Sequence, residues 1–340
     1  LCPEILITNN NLPVGEIRYS NEQIKEKLGI PASKVISRTA LLGMLAVKEA
    51  IIDSQIDVSS NKTGLISSTS VGGMDLTEIF FKDYIKDNTK GDIRQVLMHD
   101  CAASTKAICN YCNINGYSTT ISTACSSSAN AIIKGYNLLK HGVLDAVIVG
   151  GCDALSAFTL NGFKSLMILD KELCKPFDER RAGLNLGEGA GYIVLQREED
   201  CNKKYCRLSG FANTNDAFHQ TASSENGEGA YLAMNKALSM AGLYPESIDY
   251  INAHGTGTPN NDLTESIAIS RIFNQNMPLI CSTKSYTGHT LAASGGIEAV
   301  FSILSIKEGF VPESLNFAVP MHNGVIPNTT LHRQEINTVL

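Results

Sequence analysis

The sequence predicts an α/β protein in which helices cover a buried, parallel or mixed β-sheet. An amphipathic helical segment, a short polar turn and a continuous apolar run that ends in Gly or other small residues follow one another three times along the chain. Apolar residues spaced three to four apart give way each time to an unbroken apolar run, which is the pattern of helices packed on buried strands. This alternation predicts a layered architecture with right-handed crossover connections.

The three repeats can be placed along the chain in order. Gly142 and Gly242 end the second and third helices, because glycine commonly terminates a helix. The second and third repeats also share an Asp at the start of the strand and a glycine-bearing loop after it, which predicts a duplicated α/β unit. The predicted helices are 38–53, 126–141 and 229–241, and the strands that follow them are 63–69, 145–150 and 248–253.

Two further segments complete the predicted organisation, a strand over 191–196 and a small-residue helix over 290–306. The polar stretch 198–204 follows that strand and marks a break between two halves, 1–200 and 201–340. Because no low-complexity linker separates the halves, we expect them to pack together rather than to be tethered.

Composition and charge exclude several classes of protein. Of the 340 residues, 43% are hydrophobic and 18% are charged, which is typical of a soluble globular enzyme. No apolar run approaches the roughly 18 residues that are needed to cross a bilayer. Acidic and polar residues occur within the first ten positions, so the start of the chain does not resemble a signal peptide. We therefore expect a cytoplasmic protein without a membrane span. The formal net charge of -6 gives no reason to expect nucleic acid as the main partner.

The ten cysteines are irregularly spaced, and several lie in apolar contexts where a free thiol behaves as a small hydrophobic side chain. In a cytoplasmic enzyme such thiols stay reduced. Cys109 with Cys112, and Cys201 with Cys206, have spacings that could suggest zinc. No second tight Cys or His pair accompanies either of them, so the sequence predicts no metal site.

Cys125 lies in the octet STACSSSA, between the β-rich run 117–121 and the second predicted helix. A strand-to-helix turn pushes its central side chain outward, as in the nucleophile elbow of hydrolases. The unpaired N–H groups and partial positive charge of the helix start favour a thiolate and can hold a developing oxyanion. Cys125 is therefore a candidate nucleophile. The alternative, on the octet alone, is a structural Cys in a turn of small residues.

His254 and His289 occupy similar positions in the second half. His254 follows the third predicted strand in NAHGTGTP, a tight loop at the carboxyl end of the strand, where α/β sites usually lie. His289 closes STKSYTGH, ahead of the small-residue helix, with Lys284 five residues before it. Alone, each His could be a loop residue and Lys284 a solvated surface charge. One thiol and two imidazoles on three strand-end loops suit acyl transfer, in which Cys attacks and neutral His donors stabilise a carbonyl oxygen or move a proton.

Four longer segments contain these residues or lie between them: STACSSSANA, KPFDERRAGLNLGEGAG, NAHGTGTPNND and STKSYTGHTLAASGGIEA. Together they resemble the β-ketoacyl-acyl-carrier-protein synthases of the thiolase fold, and the likeness runs over essentially the whole chain. The resemblance implies duplicated α/β halves with mixed five-stranded sheets in an αβαβα layering. It also implies an elongating acyltransferase, which joins an acyl thioester to a malonyl-loaded carrier protein by decarboxylative Claisen condensation in fatty-acid or polyketide biosynthesis.

The resemblance also implies roles for individual residues. Cys125 matches the acylated nucleophile, and His254 and His289 match the pair that binds the malonyl thioester carbonyl and promotes decarboxylation. Lys284 matches the family lysine that orders the second histidine. Glu298 matches a glutamate that organises the same network.

Partners follow from the same resemblance. Arg181 matches an arginine near the carrier-protein entrance, and with Arg180 it is the candidate docking site, Lys175 being a weaker one. An acidic carrier protein would need such a local basic patch, because the chain itself is net negative. The implied assembly is a homodimer, or a heterodimer with a ketosynthase-like subunit. The implied chemistry needs no metal or organic cofactor.

The chain departs from the family at its ends. Family members usually have a first strand upstream of Leu1 and a glycine loop of GFGGTN type beyond Leu340, so we expect both ends to be truncated relative to the family. Ala182 and Leu184 stand where a DG-aromatic pattern is common.

Three alternative functions share the implied fold. A non-elongating partner subunit of the chain-length-factor type usually replaces the nucleophile, which this chain retains. Thiolases use a second cysteine near the C-terminus, and coenzyme-A-priming synthases use His and Asn where this chain has two His. The resemblance therefore favours the elongating class.

Overall fold

The computed structural model of the protein describes residues 12–201, 203–218, 223–274 and 276–340. The helices within them are α1 (Asn21–Leu28), α2 (Arg38–Ser54), α3 (Met74–Lys86), α4 (Ile93–Val96), α5 (Cys101–Cys112), α6 (Ser127–Lys140), α7 (Ala157–Ser165), α8 (Glu228–Ala241), α9 (Pro259–Phe273), α10 (Lys284–Thr287) and α11 (Ser294–Glu308). The strands are β1 (Thr63–Ser68), β2 (Ser118–Ile121), β3 (Ala146–Asp153), β4 (Gly189–Gln196), β5 (Tyr250–Asn252), β6 (Leu279–Cys281), β7 (Phe310–Val311) and β8 (His332–Arg333). Short 3-10 turns occupy Glu198–Asp200, Pro245–Ser247 and Leu291–Ala293.

The first half contains a mixed sheet with the strand order β2-β1-β3-β4. β1 runs parallel to β2 and β3, whereas β4 runs antiparallel to β3. In the second half β5 and β6 pair in parallel, and the N–H of Asn252 donates to the carbonyl of Leu340 along the other edge of β5. The predicted mixed sheet is confirmed. The described residues supply four strands to the first sheet and two to the second, so the predicted count of five is not reached within them.

Side chains of the first sheet alternate between its two faces, as the pleat of a strand requires. Leu65 and Ile148 point to one face and pack with α2 and α5. Ile66, Val147 and Val149 point to the other face and pack with α6. The central strands β1 and β3 are therefore buried on both faces, which explains their unbroken apolar sequences.

The second half repeats this arrangement around β5. Ile251 packs with Leu238 of α8 and Ile269 of α9. Tyr250 points the opposite way and packs with Ile306 of α11 and with Val311. Since α11 also packs on β3, β4 and α6, α6 and α11 lie between the two sheets. The predicted αβαβα layering is therefore observed. The division of the chain into halves at residue 200 stays a prediction.

Glycines bring α11 unusually close to the first sheet and to α6. A Cβ on Gly191 of β4 would lie 2.5 Å from the backbone N of Ile297. A Cβ on Gly295 would lie 3.1 Å from the backbone N of Ala129, in the first turn of α6. Only glycine permits such backbone approach. The starts of α6 and α11 are consequently held side by side.

The predicted elements agree with those observed to within a few residues, except that the strand predicted over 248–253 is shortened to β5. The helix predicted over 290–306 begins as a 3-10 turn and becomes α-helical at Ser294. Residue 202, in the predicted break, lies outside the described residues. Every helix in the described ranges is too short or too polar to cross a lipid bilayer.

Candidate active site

Cys125 lies in a strained turn between β2 and α6. Ala124, the preceding residue, has a φ of +53°, a left-handed conformation that non-glycine residues rarely adopt. The Ser127 hydroxyl stabilises the turn, because it accepts from the N–H of Thr123 at 2.8 Å and donates to the carbonyl of Ala124 at 2.6 Å. The predicted nucleophile elbow is present in this geometry. The thiol is only partly buried.

The thiol differs from the sequence expectation in one respect. The helix start was expected to favour a thiolate, but burial raises the pKa of Cys125 above its ordinary value. The Lys284 ammonium and a backbone hydrogen bond oppose this change and do not outweigh it. Desolvation is thus the larger effect, and the resting thiol is protonated at neutral pH.

His289 donates a hydrogen bond toward the cysteine. Its Nε2 lies 3.0 Å from Cys125 Sγ. Its Nδ1 lies 3.0 Å from the backbone N–H of Leu291 and 3.1 Å from the Ser294 hydroxyl. A backbone N–H can only donate, so Nδ1 must accept and the ring proton must sit on Nε2. His289 therefore presents an N–H, rather than a lone pair, to the sulfur.

His254 completes the group from the opposite side. Its ring lies 5.4 Å from that of His289, centroid to centroid, and perpendicular to it. Its Nδ1 lies 3.1 Å from Lys284 Nζ, which also bonds the Glu298 carboxylate. An ammonium group has no lone pair to offer. Nδ1 of His254 is therefore the acceptor, and its proton too is on Nε2.

The predicted role of Lys284 is wrong in one detail. The lysine was expected to order the second histidine, but it contacts His254, the first one. The parallel pairing of β5 with β6 matches Asn252 with Cys281. Residues that follow β6 therefore come to lie beside residues that follow β5. His289 is ordered by the backbone of its own loop instead.

Sequence reasoning missed Glu265 of α9. Its partly buried carboxylate accepts the backbone N–H groups of His254 at 2.7 Å and Gly255 at 2.8 Å, and so fixes the histidine loop. Burial raises the pKa of Glu265 to about 7, against the lowering effect of those N–H groups. The signal in the sequence is an acidic residue in the second turn of the helix that follows the loop.

Both imidazoles are neutral at physiological pH. Burial, followed by the charge of Lys284, lowers the pKa of His289 to about 3. Burial, followed by the charge of Lys284, lowers the pKa of His254 well below its usual range. The site therefore offers two uncharged N–H donors beside a thiol. An oxygen atom that gains negative charge between them would be stabilised by both.

The same three side chains resemble a metal centre, since the potential ligand atoms of Cys125, His254 and His289 all lie within 4.8 Å of one another. The hydrogen bonds argue against that use. A metal would need the lone pair of each Nε2, and Leu291 and Lys284 hold the proton there. Neither of the cysteine pairs considered for zinc belongs to a group of three potential ligands within the described ranges.

The two candidate carrier-binding arginines differ in environment. The Arg181 side chain is 8% exposed and donates to the carbonyls of Asp178 and Pro259, so little of it is accessible to a carrier protein, and its predicted docking role stays a prediction. These two hydrogen bonds of Arg181 stabilise the loop that precedes α9. Arg180 is 59% exposed and lies 3.2 Å from the Asp178 carboxylate. Lys175 is mostly buried and paired with Glu172 at 2.9 Å.

Layered α/β halves that bring one thiol and two imidazole N–H groups together define a thiol-dependent condensing acyltransferase of the thiolase fold. The chain belongs to the β-ketoacyl synthase family. The N-terminal domain of that family matches residues 20–201, and its C-terminal domain matches residues 205–318.

Curated relatives agree with this assignment. The 3-oxoacyl-[acyl-carrier-protein] synthase 2 of Staphylococcus aureus is 33% identical over 327 residues, which cover 90% of this chain and 77% of the relative. The enzyme of the same name from Synechocystis sp. is 34% identical over 307 residues, which cover 85% of this chain and 73% of the relative.

Solved structures confirm the predicted fold. The ketosynthase ApeO, in complex with its chain length factor ApeC from Xenorhabdus doucetiae, has a TM-score of 0.77 at 32% identity. That match covers 96% of this chain and 82% of the other. A β-ketoacyl synthase from Burkholderia phymatum has a TM-score of 0.81 at 26% identity, covering 89% of this chain and 79% of the other.

The depressed histidine pKa predicts a pH-dependent contribution to stability. His289 stays neutral in the folded protein down to pH about 3, whereas in the unfolded chain it takes up a proton below about pH 6.5. Its contribution is thus fully present above pH 6.5 and decreases as the pH falls. The difference in unfolding free energy between the wild type and His289→Gln measures this contribution. We expect the difference to decrease by about 1.4 kcal/mol for each pH unit below pH 6.5.

Urea unfolding of both proteins between pH 8 and pH 5 measures this difference. The same substitution at the exposed His141 is the matched control for loss of an imidazole. A difference that stays constant down to pH 5 would mean that His289 titrates normally in the folded protein.

Proposed function

We propose that this protein is a β-ketoacyl-acyl-carrier-protein synthase that extends an acyl chain carried on Cys125 with a malonyl unit, in fatty-acid or polyketide biosynthesis. The observation that carries the proposal is the pair of neutral Nε2–H groups of His254 and His289 facing the thiol. Such a pair suits a reaction whose intermediate is an enolate oxygen next to a thioester.

In the first half-reaction Cys125 is acylated. Its sulfur attacks the carbonyl carbon of an acyl thioester, the carbon–sulfur bond to the carrier breaks, and the thiol proton ends on the released carrier thiol. His289 cannot accept that proton at Nε2, which already carries one. It instead donates to the sulfur, and with the Lys284 charge it stabilises the thiolate as it forms.

In the second half-reaction the malonyl thioester loses CO₂. The electron pair of the breaking carbon–carbon bond moves onto the thioester carbonyl oxygen as an enolate, between the Nε2–H groups of His254 and His289. The enolate carbon then attacks the acyl thioester of Cys125, and the cysteine sulfur leaves and regains a proton. Atoms and electrons balance with the two thioesters and one proton taken up from water, so no cofactor enters the proposal.

The alternatives are less well supported. A chain-length-factor-like subunit would not need a strained cysteine turn or two imidazoles held as donors. A thiolase needs a second reactive cysteine, and within the described ranges Cys125 is the one cysteine grouped with the histidines. A priming synthase pairs His with Asn, whereas both ring positions here are His. A cytoplasmic location belongs to the same proposal, because it keeps the Cys125 thiol reduced.

A second ketosynthase-like subunit is also part of the proposal. α3 packs against α4 and α7, and within the described ranges it has no buried residue. Its Phe81 and Ile85 are exposed, as are Leu97 beside α4 and Phe158 of α7. An apolar surface of this kind usually marks a protein interface. We infer that a second copy of the chain, or a homologous subunit, covers it.

Acyl loading and CO₂ release should depend on different residues. We expect Cys125→Ala to form no acyl adduct with an acyl carrier thioester, because the sulfur is absent. We expect His254→Ala and His289→Ala to lose malonyl decarboxylation by about 10²- to 10³-fold, since each removes one enolate donor, and to lose acyl loading much less. Intact-protein mass spectrometry measures loading, and release of labelled CO₂ measures decarboxylation.

Cys206→Ala, at an exposed cysteine, is the matched control for removal of a thiol. An adduct that persists in Cys125→Ala would remove the nucleophile from this scheme. Equal loss of both half-reactions in both histidine variants would mean that the imidazoles act mainly in folding or in activating the thiol.

Carrier docking should depend on Arg180. We expect Arg180→Glu to raise the KM for a malonyl-loaded carrier protein and to leave that for a small malonyl thioester unchanged, because only the carrier is acidic. The effect should shrink as salt screens the charges. Arg333→Glu, at an exposed arginine of β8, is the control for charge reversal. A KM for the carrier that is equal in both variants would place docking elsewhere.

A further inference from the structure

A buried carboxylate lies behind the candidate site and is not used in the scheme above. Asp153, the last residue of β3, is fully buried. It accepts the hydroxyl of Thr69, the N–H and hydroxyl of Ser70 at 3.0 and 2.7 Å, and the N–H of Val71 at 3.3 Å. It also accepts the N–H of Ala292 at 2.8 Å. One carboxylate therefore joins the end of β3, the loop after β1 and the turn after His289.

Both backbone polar groups of Ala292 are held by hydrogen bonds. Its N–H donates to Asp153, and its carbonyl accepts the hydroxyls of Ser128 and Ser68. Ser128 lies in the first turn of α6, immediately behind Cys125. The residue before Ala292 is Leu291, whose N–H fixes the histidine tautomer. Hydrogen bonds and the backbone of Leu291 and Ala292 thus connect Asp153 to the loops that carry Cys125 and His289.

This arrangement is costly for stability alone. A buried charge loses its hydration, and a well-packed apolar residue of similar size often serves a core better. Burial indeed raises the pKa of Asp153, and the surrounding N–H and hydroxyl donors act against that change. Each carboxylate oxygen receives at least one backbone N–H, which suits the ionised form.

We propose that Asp153 is a positioning residue for the condensation: its carboxylate fixes the Ala292 peptide and thereby holds His289 in the orientation and tautomer that donate to Cys125. The role rests on the proposed function, in which that donor serves both the thiolate and the enolate. Asp153 itself touches neither reacting group and acts through the backbone.

Asp153→Asn tests this role with little change of shape. Whichever way the amide turns, its NH₂ group faces a backbone N–H, from Ser70 and Val71 on one side or from Ala292 on the other. In the first orientation the loop after β1 must shift, and in the second the turn after His289 must shift; either movement weakens the hold of residue 153 on Ala292. A misplacement of about 1 Å costs about 10²-fold in rate, so we expect kcat for CO₂ release from a small malonyl thioester to fall about that much, with KM nearly unchanged.

The pH dependence of Cys125 alkylation by iodoacetamide, followed by peptide mass spectrometry, separates positioning from other effects. Removing the negative charge of Asp153 would by itself lower the thiol pKa, because that charge raises it. Losing the His289 donor would raise the thiol pKa. We therefore expect the alkylation profile of Asp153→Asn to move to higher pH. A shift to lower pH, or none, would overturn the proposal, as would a wild-type rate of CO₂ release.

Two further variants keep the test decisive. Asp178→Asn removes another fully buried carboxylate, one that accepts the N–H groups of Ala318 and Val319, and controls for general loss of stability. Ser128→Ala removes one of the two hydroxyl bonds to the Ala292 carbonyl and should move the alkylation profile in the same direction, by less. If Asp153→Asn does not fold, the alkylation profile of Ser128→Ala decides. The absence of a shift of that profile to higher pH would then reject the proposal.

The proposed function and the positioning role fail in different ways. A wild-type protein that releases no CO₂ would contradict the function, while the alkylation profile would still report on Asp153. Additive effects of Asp153→Asn and Ser128→Ala on the thiol pKa would show that the two bonds act separately, and would also overturn the proposal.

Discussion

The close packing of the starts of α6 and α11 is the constraint on which the site depends. Glycines at 191 and 295 let α11 approach the first sheet and α6 at backbone distance. Cys125 lies two residues before the start of α6, and His289 lies a short turn ahead of α11. Their 3.0 Å contact is therefore a consequence of helix packing between the two sheets. A bulkier residue at Gly295 would push α11 away from α6, and one at Gly191 would push α11 away from β4. Either change would separate the thiol from its donor.

Electrostatics then decides what this contact can do. Desolvation works against every charged form in the site, so the thiol is protonated and both imidazoles are neutral. The retained charges are paired, Lys284 with Glu298. Lys284 and the N–H of Leu291 each place a donor against Nδ1 of one histidine. The result is a site that donates hydrogen bonds and does not abstract protons, which is what an enolate intermediate requires.

The sequence was sufficient to predict the layers and the three reacting side chains, because these depend on local pattern: helix periodicity, apolar strands and tight loops at strand ends. It was not sufficient where the answer depends on register or on residues far apart. The histidine that Lys284 contacts follows from the pairing of β5 with β6. Glu265 acts from a helix that was not predicted, and Asp153 lies beyond the predicted end of its strand. Arg181 was predicted to contact the carrier protein, although its neighbours in the fold leave it mostly buried.

The tautomers of the two histidines test the central claim most directly. In ¹⁵N-histidine-labelled protein, long-range ¹H–¹⁵N spectra distinguish the neutral Nε2–H ring from the Nδ1–H ring and the imidazolium, and His254→Gln and His289→Gln assign the signals. The account predicts neutral Nε2–H rings for both residues throughout pH 6 to 8, since burial holds their pKa values far below that range. An Nδ1–H tautomer at either residue, or an imidazolium within that range, would contradict it.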